Sequence, residues 1–163
     1  VRASGENIPF DDRTFDIVIC RVALPYMDHT KAISEISRVL RPGGRLLLKT
    51  HTPMFYLGMV KRRLVKLDPK LLSYPIICLL GGTLNFLIGR LPKWKFWEGK
   101  ETFQTTSMIV REAERTGLKV IEEKTSKDLE TKSYIIEKSY LCNLIGAYFF
   151  ELDVLFLGLL GIH

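Results

Sequence analysis

The stretch from Glu6 to Thr50 constrains the fold of this chain more than any other, because two apolar runs bracket one helical period. Phe15 to Cys20 is short, apolar and rich in β-branched residues, and a turn at Asp11, Asp12 and Arg13 opens it. Ala32, Ile33, Ile36, Val39 and Leu40 recur at helical spacing, with Glu35 and Arg38 on other faces. Asp28 is placed to cap a helix that starts near Thr30. Pro42-Gly43-Gly44 then stops that helix, since glycine accepts a left-handed cap and proline cannot continue the hydrogen-bond ladder. Arg45 to Lys49 carries the next strand. Two buried strands joined by one helix form a βαβ unit, and such units build parallel sheets with right-handed crossovers.

The same stretch resembles the class I S-adenosylmethionine-dependent methyltransferases of type 11. The residues that carry the resemblance are Glu6-Asn7-Ile8-Pro9-Phe10, Thr14-Phe15-Asp16-Ile17-Val18, and Glu35 with Arg38-Val39-Leu40-Arg41-Pro42-Gly43-Gly44. The resemblance makes these the loop before the fourth strand, the fourth strand, and the helix and turn that lead into the fifth. It implies an α/β fold with a Rossmann-like, mostly parallel sheet. A helix from Thr106 to Thr116 closed by Gly117, a strand from Leu118 to Glu123 and a strand from Ser133 to Glu137 follow the family in outline. They would supply strands six and seven, the seventh antiparallel. No GxGxG occurs in the chain. The family's glycine-rich cofactor turn, and the acidic residue after its second strand, precede the matched stretch. The expectation is a carboxyl-terminal portion of such an enzyme, truncated at its amino end, whose activity alone is left open.

In open α/β sheets ligands sit beyond the carboxyl ends of the strands, here Cys20-Arg21-Val22 and Thr50-His51. The resemblance implies S-adenosyl-L-methionine as cofactor. It places the loop Ser4-Gly5-Glu6-Asn7-Ile8 beside the adenine, through backbone amides and one polar side chain, with Ser4 where many members carry an aspartate. It places Cys20, Arg21 and Val22 under the ribose and methionine portion, although Cys20 reads equally well as a small buried strand-end residue. Tyr26, Asp28 and His29 follow the fourth strand, on the substrate side, and His51 and Phe103 are assigned to the same rim. An imidazole with a pKa near 6.5 can remove a proton from a methyl acceptor. His51 and Tyr26 are therefore the candidates for catalysis, against the plainer reading of a capping or exposed histidine. Glu35 and Arg38, three apart on a helix, read as a structural ion pair. Methyl transfer from a sulfonium depends on in-line positioning and exclusion of water, so a conspicuous catalytic constellation is not expected. No metal site is expected.

The charge is concentrated in one region. Between Met54 and Lys100, nine cations face only Asp68 and Glu98, a local charge of +7, whereas the remainder holds 15 basic against 16 acidic residues. The chain divides into core strands over 1–53, a helical basic and apolar lid over 54–100, a resumed core over 101–140 and an apolar helix over 141–163. Met54 to Leu67 reads as an amphipathic helix with Met54, Leu57, Val60, Leu64 and Leu67 on one side. Pro69 and Pro75 should break the chain before the apolar run Ile76 to Ile88, which is too short to span a bilayer. Lys93-Trp94-Lys95-Phe96-Trp97 alternates cations with aromatics and suits a membrane interface, an anionic ligand or a lid with its aromatics packed inward. In Leu141 to Ile162, thirteen Leu, Ile, Val and Phe residues favour membrane insertion by roughly 6 kcal/mol, and Asp153 with Glu151 oppose it by about 5–7 kcal/mol. A helix that packs on the protein or lies at an interface is expected there, with a spanning helix as the lesser reading.

Cys20, Cys78 and Cys142 form no CxxC pair and fit a reducing cytoplasm. Lys61-Arg62-Arg63 comes with no nucleic-acid motif. The expected partners are a small-molecule or lipid methyl acceptor and a membrane surface met through 54–100. Two other readings share the fold: an inactive relative that binds a membrane or a protein partner, and a Rossmann-type enzyme that uses a nicotinamide cofactor.

Overall fold

Alternation along one long strand decides which side of the sheet is buried. In β2 (Leu40–His51), Gly44, Leu46, Leu48 and Thr50 are buried, while Arg45 and Leu47 between them are exposed and Lys49 is half-buried. β1 (Phe15–Arg21) runs parallel to β2, with Val18 opposite Leu46 and Cys20 opposite Leu48. β4 (Thr131–Lys138) lies antiparallel on the other side of β2, with Ile136 opposite Leu46 and Tyr134 opposite Leu48. β3 (Leu118–Thr125) pairs antiparallel with β4, giving the order β1-β2-β4-β3. Three of the four strands therefore run one way, and the last in sequence runs against them. The computed structural model describes residues 1–64, 69–88, 101 and 103–140.

Two helices cover the buried side. α1 (His29–Val39) follows a short 3-10 turn (Leu24–Tyr26), and α4 (Thr106–Arg115) precedes β3. Ile33, Ile36, Ile109 and Ala113 from these helices join Leu24, Leu46, Leu48, Leu118 and Ile136 in one core. Each aliphatic side chain fully buried there contributes about 1.5–3 kcal/mol. The caps follow the sequence: Asp28 accepts from the Lys31 amide, Thr105 accepts from the Met108 amide, and Gly117 adopts a left-handed φ of 72° after α4. Ser37 Oγ donates to the Thr116 carbonyl at 2.8 Å, and Lys138 Nζ donates to the Ser37 and Leu40 carbonyls, binding α1 to α4 and β4.

Four expectations change. α1 has no glycine cap, because Leu40 is already extended (φ −73°, ψ 139°) and begins β2; the residue before Pro42 is also biased away from helix. The left-handed φ of 77° falls three residues later, at Gly43. Among the described residues β1 lies at the edge of the sheet, and Ile17 and Ile19 on its second face are 58% and 64% exposed. Pro75 does not break the chain: α3 runs unbroken from Pro69 to Ile88, and the Pro75 ring is buried within it. α2 (Pro53–Leu64) buries Tyr56, while Met54, Leu57 and Leu64 of the expected apolar side stay exposed. α2 packs against α3, and Arg62 pairs with Glu130 of the β3–β4 turn at 2.6 Å. Leu67, Lys93 to Trp97 and Leu141 to Ile162 lie outside the described residues. Among the described residues, no helix is long and apolar enough to cross a membrane.

Candidate active site

β1 ends at Arg21, and the next residue carries strain. Val22 has a φ of 55°, a left-handed conformation that costs a residue with a β-carbon about 1–2 kcal/mol. Its amide donates to the Lys49 carbonyl at 2.8 Å, which holds it there. Strain of this kind gathers at functional sites. Cys20 is buried, and burial pushes its thiol pKa up against hydrogen bonds from the Leu24 and Ala23 backbone. Arg21 is exposed beside it.

The loop Ser4 to Ile8 is a tight turn with most of its amides already used. The Asn7 amide donates to the Ser4 carbonyl (3.2 Å), the Glu6 amide to Ser4 Oγ (3.2 Å) and the Ile8 amide to Glu35 Oε2 (2.9 Å). Arg38 donates to the Ile8 and Phe10 carbonyls and to Asp12, each at 2.8 Å, and forks onto Glu35. The Glu35–Arg38 pair is thus a clamp on this loop, and it holds the Glu35 carboxyl below its ordinary pKa. The Glu6 carboxylate accepts from the Asp28 amide at 2.8 Å. What the loop can still offer a ligand is the Ser4 hydroxyl, the Gly5 amide and the exposed Asn7 side chain. The Glu6, Asn7 and Ile8 amides are engaged within the protein, which leaves one backbone amide and two polar side chains of this loop facing outward.

The densest polar cluster lies past the ends of both strands. Glu101 is 8% exposed, and its carboxylate accepts hydrogen bonds from Tyr26, Tyr56 and Tyr74. The three donors come from the 3-10 turn, α2 and α3; the Tyr56 bond measures 2.7 Å. His51, the last residue of β2, stacks on Phe55 with ring centroids 3.8 Å apart and meets Tyr56 edge-on at 6.3 Å. Phe103 packs with Tyr56 and Cys78, and its ring lies against Gly82 of α3, where a β-carbon would overlap it.

These contacts set the protonation states. Burial would raise the Glu101 pKa, but the three tyrosine hydroxyls and nearby His51 outweigh it and keep the group below its ordinary 4.5. Tyr26 is pushed up to about 12, first by its bond to Glu101 and then by burial. Tyr56 and Tyr74 are raised by burial first and Glu101 second. Burial lowers His51 below 6.5 against the pull of Glu101 and Glu130, so its imidazole is neutral at pH 7. His51 Nδ1 is buried and has no hydrogen-bond partner among the described residues. Both Glu101 oxygens are occupied and the Tyr26 proton is held tightly, so His51 is the group here best suited to accept a proton.

The structure brings Tyr26, His51 and Phe103 together and leaves His29 elsewhere. His29 is buried between α1 and α4, within electrostatic reach of Glu112 and Arg111, and burial lowers its pKa. Glu101, Tyr56 and Tyr74 carry no local signal in the sequence, since their partners come from three separate elements. Among the described residues, no group of His, Cys, Asp and Glu is placed to hold a metal ion.

The sheet order, with one antiparallel strand inserted next to β2, is that of the class I methyltransferase fold. Residues 1–48 match a family model described as a methyltransferase domain. An uncharacterized methyltransferase of Mycobacterium tuberculosis is 45% identical over 58 residues, covering 36% of this chain and 24% of that relative. The ubiquinone/menaquinone biosynthesis C-methyltransferase of Haemophilus ducreyi is 46% identical over 57 residues, covering 34% of this chain and 22% of that relative. The chain matches about a quarter of the length of these curated relatives. A solved complex of the Haloferax volcanii Trm112 methyltransferase activator with a methyltransferase matches with a TM-score of 0.54 at 14% identity, covering 85% of this chain and 60% of that chain. Residues 1–48 are similar to the methyltransferase-domain family, and the described core shares the fold of the solved methyltransferase complex.

Proposed function

We propose that the protein takes part in methyl transfer from S-adenosylmethionine to an apolar acceptor, and that the acceptor lies against His51, Tyr26 and Phe103. The cluster around Glu101, at the carboxyl ends of β1 and β2 on a class I sheet, is the observation that carries this reading. Ser4, Gly5 and Asn7 on the loop, with Arg21 and Val22 at the strand end, would hold the cofactor. The cofactor supplies an electrophilic methyl group on a sulfonium. The chain's own part is positioning, proton acceptance and exclusion of water. Neutral His51 takes a proton from the acceptor at an imidazole nitrogen. Glu101 fixes three tyrosines from three elements and so ties α2 and α3 over the strand ends. Phe55, Tyr56 and Phe103 make the walls apolar, which supports an apolar acceptor. The name of the Haemophilus ducreyi relative, which refers to quinone biosynthesis, supports the same class.

The test is a two-stage titration of the isotope-labelled chain followed by amide NMR. S-adenosylmethionine alone should bind weakly and shift resonances of residues 4–8 and 20–22. An aromatic acceptor with an alkyl tail, added next, should shift residues around Tyr26, His51 and Phe103 in the wild type and much less in His51→Ala. Shifts confined to other regions, or none at saturating cofactor, would remove this reading. A nicotinamide dinucleotide that shifted residues 4–8 and 20–22 more strongly would replace it with a dehydrogenase-type site.

A further inference from the structure

α2 and α3 turn apolar stripes outward. On α2, Met54, Leu57, Lys61 and Leu64 fall at helical spacing within one narrow arc, and all four are exposed. On α3, Ile76, Leu80, Thr83 and Leu87 do the same, and Leu87 is 72% exposed. A soluble surface helix normally turns such a stripe toward the core. Here the inward positions are taken by Tyr56 on α2 and by Pro75, Cys78 and Gly82 on α3. The two helices pack against each other, so the stripes belong to one hairpin.

The charge on the two helices has one sign, Asp68 lying in the chain between them. Neither helix contains an aspartate or glutamate, whereas Lys61, Arg62, Arg63 and Lys70 are all cations. Arg62 is engaged with Glu130, and Arg63 lies over the Tyr74 ring at 5.8 Å. Lys61 sits inside the apolar stripe and forms no ion pair among the described residues. Exposed aliphatic side chains with interleaved cations and no anions complement a surface that is apolar beneath an anionic layer. We infer that the outer face of the α2–α3 hairpin docks on an anionic lipid bilayer, with the aliphatic stripes at the acyl boundary and Lys61 at the phosphates. This goes beyond the methyl-transfer reading and needs none of its steps. It would set the site, which lies on the inner side of the same hairpin, next to a lipid phase.

The experiment is co-sedimentation of the whole chain, without cofactor, on phosphatidylcholine vesicles with and without phosphatidylglycerol. Binding should require the anionic lipid and weaken with added salt. Lys61→Glu exchanges one cation for an anion and should lower binding to anionic vesicles about tenfold or more. Leu57→Asp with Leu80→Asp should abolish it, and the milder Leu57→Ser with Leu80→Ser should weaken it with an unchanged circular dichroism spectrum. Equal binding to both vesicle types, or no binding to either, would overturn the inference. So would concentration-dependent dimerisation that the same substitutions remove, since it would assign the stripes to a second copy of the chain. A failure here leaves the NMR titration of the cofactor and acceptor sites unaffected.

Discussion

Glu101 draws two of its three donors from residues 75 and 45 positions earlier in the chain, which is why the centre of the site could not be read from the sequence. In Glu101-Thr102-Phe103-Gln104-Thr105 it reads as the approach to a helix, and Thr105 does cap that helix. Tyr26 and His51 were legible because they end or follow strands that their own apolar runs mark. The network has a definite pH signature. The Glu101 pKa is depressed, so its contribution to stability is complete above about pH 4.5 and is lost as pH falls through the folded value. The Tyr26 pKa is raised, so its contribution is complete below pH 10 and is lost as pH rises toward 12. Glu101→Gln removes the charge that holds the Tyr26 proton. In an alkaline titration followed by tyrosinate absorbance, the variant should lose the class of tyrosine that ionises near 12 in the wild type and gain one nearer 10. Identical titration curves would show that these hydroxyls do not serve the carboxylate.

The elements from Phe15 to Lys49 follow from periodicity, but their boundaries follow from contacts that periodicity does not contain. α1 ends where Leu40 pairs with Phe15 of β1, so strand pairing ends the helix before any glycine is reached. α3 continues through Pro75 because a buried ring offsets part of the roughly 3 kcal/mol that an interior proline costs. The Pro42-Gly43-Gly44 turn divides its labour. Gly43 takes the left-handed conformation, and Gly44 allows close approach, since a β-carbon there would lie 2.8 Å from the Arg41 carbonyl oxygen and 3.1 Å from that of Asp16. Both contacts are backbone, so neither can swing away. Gly44→Val should therefore destabilise the β1–β2 pairing by about 1–3 kcal/mol, seen as a lower thermal midpoint. A variant that melts like the wild type would show that the turn can open at little cost.

At the scale of the whole molecule, both helices that pack on the sheet cover the same side, and among the described residues the other side is open. Its middle row is apolar across three strands: Ile19 pairs with Leu47, which pairs with Ile135, and Ile17 lies two residues before Ile19. Charged residues flank that row, with Arg45 opposite Ile17 and Lys49 opposite Arg21. The sequence of β1 carries little warning of this, because after Asp16 the run Ile17 to Cys20 is apolar without a break, as a strand buried on both faces would be. An apolar row of this kind on a free sheet face favours association and dye binding. The chain should bind an anilinonaphthalene dye in its native state and self-associate as concentration rises, by light scattering. Ile17→Thr with Ile19→Thr keeps β-branched residues on an edge strand and removes apolar surface only from the open side. The pair should reduce both signals severalfold while changing the thermal midpoint little, since exposed positions contribute little burial. A large drop in the midpoint instead would show that Ile17 and Ile19 are packed under residues beyond those described, and that both faces of the sheet are covered.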